Sequence, residues 1–143
     1  MLFTGSGFPK FTWGFQISGM SRMQWLKLET AAANITGIKK GRCRYSTLCI
    51  AYGPSGHPFA RGIKELFVLW FKVILHMANT EPQVFADTTN SFLLIKDSIL
   101  QKQDSINFDN MHKHVEGLIS HVLVYLLALN WTPHSIIEWS NPL

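Results

Sequence analysis

The 143-residue chain is 47% hydrophobic and 15% charged, which excludes a disordered chain and indicates one folded domain, residues 1–143. Its formal charge of +4 is the sum of two halves with charges of opposite sign. Residues 1–72 carry +8, and residues 73–143 carry −4. No apolar run reaches the roughly 20 residues that span a bilayer, so no membrane span is expected.

The first predicted element is a strand over residues 11–17, FTWGFQI. Phe11, Trp13 and Phe15 alternate with glycine and polar residues, as in a strand with one buried face. The three rings fit two interpretations: a core face, or stacking platforms for the bases of a single-stranded nucleic acid.

A helix is predicted next, over residues 22–34. Ser21 is followed three residues later by Gln24, which is the spacing of a capping box. Gly37 is placed to end this helix.

A second strand is predicted over residues 42–52, a stretch rich in β-forming residues between two glycines. Cys43 and Cys49 would then lie roughly 20 Å apart, too far for a disulfide. Unpaired thiols indicate a reducing, intracellular, cytoplasmic location. Four basic residues lie just before this strand or within its first three residues, and they form a candidate anion-binding surface: Lys39, Lys40, Arg42 and Arg44.

The segment YGPSGHPFARGIKELF, residues 52–67, joins the second strand to a helix. A loop of this kind directs backbone N–H groups and the positive end of the helix dipole at an anion. It lacks the GxxxxGK[ST] pattern of a P-loop. The candidate pocket and anion ligands here are Ser55, Gly56, His57, Arg61 and Lys64.

The same segment also has a purely structural interpretation. Pro54 and Gly56 suit a turn, and Pro58 suits the first position of a helix. Arg61 and Glu65 are spaced for an i,i+4 ion pair. This interpretation requires no ligand.

Two helices are predicted in the middle of the chain. The first covers residues 58–78 and ends at NTEP, with Pro82 beyond it. The second covers about residues 90–103, where Phe92, Ile95 and Ile99 recur on one side.

The longest helix is predicted over residues 110–131, with Asp109 as its N-cap. After it, Thr132 as a cap and Pro133 at the first helical position predict a short terminal helix that ends near Trp139.

Helices 58–78 and 110–131 share an unusual distribution of apolar residues. In both, these residues cover more of the circumference than the arc of about 100° that is typical of a surface helix. Such a helix is either central in its own fold or contacts another chain, which predicts a homo-oligomer or a protein partner.

The histidines do not form a predicted metal site. His112 and Glu116 would lie one helical turn apart, and so the pair points in one direction. His114 and His121 form a second pair, which diverges from the first by about 200° at 100° per residue. Helix caps and surface polar groups are the expected roles, and neither a metal nor a cofactor is predicted.

The pattern as a whole predicts an α+β fold: a small N-terminal antiparallel sheet with one helix (residues 1–57), packed on a layer of three to four C-terminal helices (residues 58–143). The predicted function is non-catalytic binding. The chain would self-associate through apolar helices and contact an anionic partner, nucleic acid first, through its basic N-terminal half.

Two alternatives stay open. One is a small enzyme or ligand-binding protein with an anion or phosphate pocket in the loop and helix start at residues 53–64. The other is a structural subunit of a larger assembly. The charge asymmetry also leaves two interpretations open: the basic half is a binding face for a polyanion, or the two halves neutralise each other where they meet.

Overall fold

The computed structural model describes residues 19–35, 53 and 57–142. These residues form a mixed, helix-dominated fold that is 71% helical. The four α-helices of this part are α1 (Arg22–Ile35), α2 (Pro58–Thr80), α3 (Pro82–Leu100) and α4 (Leu118–Ala128). Two 3₁₀ turns, Gln103–Ser105 and Met111–His114, lie between α3 and α4.

The sheet of the described residues lies near the C-terminus. Strands β1 (Thr132–Pro133) and β2 (Trp139–Ser140) pair antiparallel, with Thr132 opposite Ser140 and Pro133 opposite Trp139. The strands predicted over residues 11–17 and 42–52 lie outside the described residues, and so does the N-terminal sheet that they would form.

The capping box predicted for α1 is confirmed. The Ser21 backbone N–H donates to Gln24 Oε1 at 2.7 Å, and the Gln24 N–H donates to Ser21 Oγ at 3.3 Å. Two N–H groups at the helix start thus gain partners that the helix cannot supply. Gly37, which was predicted to end the helix, lies outside the described residues.

Prolines open both middle helices. α2 begins at Pro58, as predicted, and runs to Thr80. α3 begins at Pro82, so the predicted start near residue 90 is wrong. Glu81 leaves the helical region for one residue (φ −137°, ψ 68°). Pro82 therefore ends one helix and occupies the first position of the next, where its missing N–H costs nothing.

The prediction of one helix over residues 110–131 is also wrong, because an asparagine turn precedes α4. The Asn107 side chain accepts hydrogen bonds from the N–H groups of Asp109 and Asn110 at 3.0 and 3.1 Å. Asn110 Oδ1 in turn accepts the Asn107 N–H at 2.8 Å. These local bonds compete with helical ones. Asp109 is no cap; it binds Arg22 of α1 at 2.8 Å.

α4 ends in a Schellman motif that explains the absence of the predicted terminal helix. Asn130 adopts a positive φ of 60°, and the N–H groups of Asn130 and Trp131 bond to the carbonyls of Leu127 and Leu126. This geometry stops a helix and reverses the chain. Residues 132–140 consequently form the β1–β2 hairpin, and Thr132 and Pro133 are strand residues.

α4 is the central helix of the described core. Seven consecutive residues, Ser120 to Leu126, are buried, so every side of the helix is covered. The wide apolar surface predicted for this part of the chain is thus buried by other residues of the same chain. α2 differs, because its buried residues, which include Leu66, Trp70 and Ile74, lie on one face only. The hairpin is tied to that face by a hydrogen bond from Trp70 Nε1 to the Ile136 carbonyl at 3.0 Å.

Candidate functional site

An exposed apolar stripe runs along the face of α2 that does not enter the core. It consists of Val68, Phe71 and Leu75, whose side chains are 43%, 39% and 63% exposed. Their spacing of three and four residues places them on one face of the helix. We call these three residues the α2 stripe. Large apolar side chains that are exposed together mark a contact surface more often than isolated ones do.

Two lysines flank the α2 stripe. Lys64 and Lys72 lie four residues before and after Val68, on the same face, and both are exposed. Neither forms an ion pair within the described part of the chain. Glu65, the acid nearest in sequence, binds Arg61 at 3.0 Å. The face is consequently both apolar and basic.

Trp139 of the hairpin borders the α2 stripe. Its ring lies 5.1 Å from Phe71 and 5.3 Å from Phe67, measured between centroids. The contact with Trp139 restricts the rotation of the Phe71 ring. A side chain that is already restricted loses less entropy when a partner binds.

The outer face of α3 has the opposite character. Leu94 is 73% exposed, and Asp87 and Asp97 are also exposed. At 100° per residue, both acids lie within about 60° of Leu94 around the helix axis. Neither acid forms an ion pair within residues 19–35 and 57–142. We call these three residues the acidic α3 face.

Only part of the predicted anion site falls in the described residues. Lys39, Lys40, Arg42, Arg44, Ser55 and Gly56 lie outside them. His57 Nε2 lies 3.1 Å from Glu29 Oε1, and both side chains are 17% exposed. The predicted Arg61–Glu65 pair is confirmed, and Lys64 is exposed. His57 and Arg61 thus each contact a carboxylate of their own chain.

The histidines of the C-terminal half are not all surface groups. His121 on α4 is completely buried, so a surface role for it is wrong. Its ring packs edge-on against Tyr125, with centroids 4.8 Å apart. His112 and His114 lie on a 3₁₀ turn rather than on α4. Among the described residues, no three His, Cys, Asp or Glu side chains are grouped to hold a metal ion.

Tyr125 is the centre of a buried aromatic cluster. Burial raises the pKa of Tyr125 to about 12, and a hydrogen bond with the Trp25 side chain opposes part of this rise. Phe59 packs on both rings, at 5.3 Å from Trp25 and 6.1 Å from Tyr125. Because the phenol stays protonated at neutral pH, the cluster joins α1, α2 and α4 without a charge at its centre.

The fold and these surfaces define a class, a small helix-rich protein with one basic, apolar helix face and one acidic helix face. Comparison with protein-family models, curated proteins and solved structures found no match to this chain. Within the described residues, every helix is too short or too polar to cross a membrane.

Proposed function

We propose that this chain is a non-catalytic binding protein that self-associates, with the α2 stripe of one copy docked on the acidic α3 face of a second copy. The observation that carries the proposal is the exposed α2 stripe with two lysines that have no partner acid in the described residues. In water this face leaves apolar area unburied, and a partner with apolar and acidic groups would cover it.

The acidic α3 face has the required dimensions. Lys64 and Lys72 are eight residues apart, which is about 12 Å along a helix at 1.5 Å per residue. Asp87 and Asp97 are ten residues apart, or about 15 Å. Two ion pairs would therefore flank an apolar contact between Leu94 and the α2 stripe. Packing of α2 on a second α2 would instead oppose lysines, which is unfavourable.

A two-fold arrangement would make this contact twice, because each copy carries both surfaces.

We also propose that a polyanion, nucleic acid first, is a ligand of the basic N-terminal half. A reducing, intracellular location belongs to the same proposal, on the strength of Cys43 and Cys49.

Sedimentation equilibrium tests self-association. We expect a dimer whose dissociation constant rises at least tenfold in Lys64→Glu/Lys72→Glu, because each ion pair becomes a repulsion. Asp87→Lys/Asp97→Lys should have the same effect. A mixture of the two double variants should form a heterodimer, since the charges are complementary again. The control is Lys27→Glu, an exposed lysine of α1. A monomer at every concentration would contradict this part of the proposal.

Heparin chromatography and oligonucleotide titrations test the polyanion ligand. Replacing Lys39, Lys40, Arg42 and Arg44 by Ala should weaken binding and reduce the slope of log K against log salt by about 3. None of the four substituted residues belongs to α2 or α3. If the parent protein binds neither heparin nor mixed oligonucleotides, the polyanion is removed from the proposal and self-association stands on its own test.

A further inference from the structure

A small cleft of about 140 Å³ lies between the end of α3 and the start of α4. Its apolar wall consists of Ile95 and Ile99 from α3 and Ile106 from the loop that follows. A water molecule occupies about 30 Å³ in the liquid. The cleft therefore has room for roughly five non-hydrogen atoms, far less than the 300–1,000 Å³ of a typical site for a drug-sized ligand.

The charged side chains around the cleft are mostly cationic. Two lysines, Lys102 and Lys113, line it, and Glu116 is the one acid among its lining residues. Neither lysine forms an ion pair within the described residues. Both are exposed, so their ammonium groups can turn towards a ligand in the cleft. A concave site with low-dielectric walls strengthens the field of such charges.

We propose that this cleft binds a small oxyanion, either phosphate or a short-chain carboxylate. The anion's oxygens accept hydrogen bonds from Lys102 and Lys113, and any carbon chain lies on the isoleucine wall. Charge-assisted bonds of this kind are stronger than neutral ones. The site is separate from the α2 stripe, and binding there requires no second copy of the chain.

Titration of the ¹⁵N-labelled protein, observed by two-dimensional NMR, tests the proposal with inorganic phosphate and with butyrate as the two probes. We expect saturating shifts at the amides of Ile99, Ile106 and Ser120. Lys102→Gln and Lys113→Gln should each weaken binding roughly tenfold, the value of one charge-assisted hydrogen bond. Lys27→Gln, which also removes one exposed lysine, should leave the affinity unchanged.

The comparison between probes identifies the ligand. Tighter binding of phosphate indicates that the cleft recognises the greater charge and the larger number of oxygens of this anion. Tighter binding of butyrate indicates that contact with the isoleucine wall contributes to the affinity. Shifts that grow linearly without saturation would overturn the proposal. So would affinity that survives in Lys102→Gln/Lys113→Gln, or that falls equally in Lys27→Gln. Because both lysines are exposed, the amide spectrum of each variant should stay that of the folded protein.

Discussion

Replacing Trp70 by Ala should lower the free energy of unfolding by about 3–5 kcal/mol, the range for removal of a large buried aromatic side chain. Trp70 is 1% exposed and packs against Phe92 with ring centroids 5.8 Å apart. Its Nε1 also donates to the buried Ile136 carbonyl. The substitution leaves a cavity in the α2–α3 contact and removes the donor that ties the hairpin to α2.

Chemical denaturation measures this loss, and two further variants separate its causes. Trp70→Phe retains most of the packing but not the hydrogen bond, so it should cost about 1–3 kcal/mol. Val68→Ala, two residues away on the exposed face, should cost less than about 1 kcal/mol, since little buried area changes. If Trp70→Ala and Val68→Ala are equally stable, the assignment of the inner and outer faces of α2 is wrong.

The parts of the fold that the sequence predicts are those governed by local chemistry. The capping box at Ser21 and Gln24 needs only two side chains and the adjacent backbone. Pro58 opens α2 because its ring fixes φ wherever it stands. The Arg61–Glu65 pair follows from helical spacing alone. Each of these features depends on residues within four positions of one another.

The errors arose where one local pattern permits two structures. Pro82 both ends a helix and begins one, and only the first role was predicted. Asp109 suits an N-cap by residue type, yet the side chains of Asn107 and Asn110 form a turn at this point. Asn130 was available as a signal of a left-handed helix end. A left-handed residue at this position favours a chain reversal, and hence the hairpin, over a terminal helix.

The candidate site shows a further limit of prediction from sequence. The share of a helix surface that is apolar does not reveal whether the same chain or another molecule covers that surface. The segments around His121 and around Phe71 are similarly rich in apolar residues. Only the segment around His121 is buried on all sides by the rest of the chain. The deciding contacts are long-range: Trp25 and Phe59 reach Tyr125 from two other helices. The lysines at positions 64 and 72 were a usable signal, because they share the face of Val68. They mark that face as the outer one.

Raising the pH from 8 to 11 should reduce the stability advantage of the wild-type protein over Tyr125→Phe by about 1.4 kcal/mol. In the unfolded chain the phenol ionises near its ordinary pKa of about 10, whereas in the folded protein burial raises the pKa of Tyr125 to about 12. The stabilisation linked to this proton is complete below pH 10. It is lost as the pH rises towards 12, at about 1.4 kcal/mol per pH unit.

Tyr125→Phe cannot ionise, so it separates this effect from the titration of lysines and of the other two tyrosines. At pH 8 the phenol is protonated in both the folded and the unfolded wild type, so the stability difference measured there is the reference value. At pH 11 that difference should have changed by about 1.4 kcal/mol in favour of the variant. Denaturation at both pH values measures the difference, and phenolate absorbance of wild type minus variant measures the pKa itself. A stability difference that stays constant from pH 8 to 11 would show that the phenol is hydrated, and that the core around α4 is open to water.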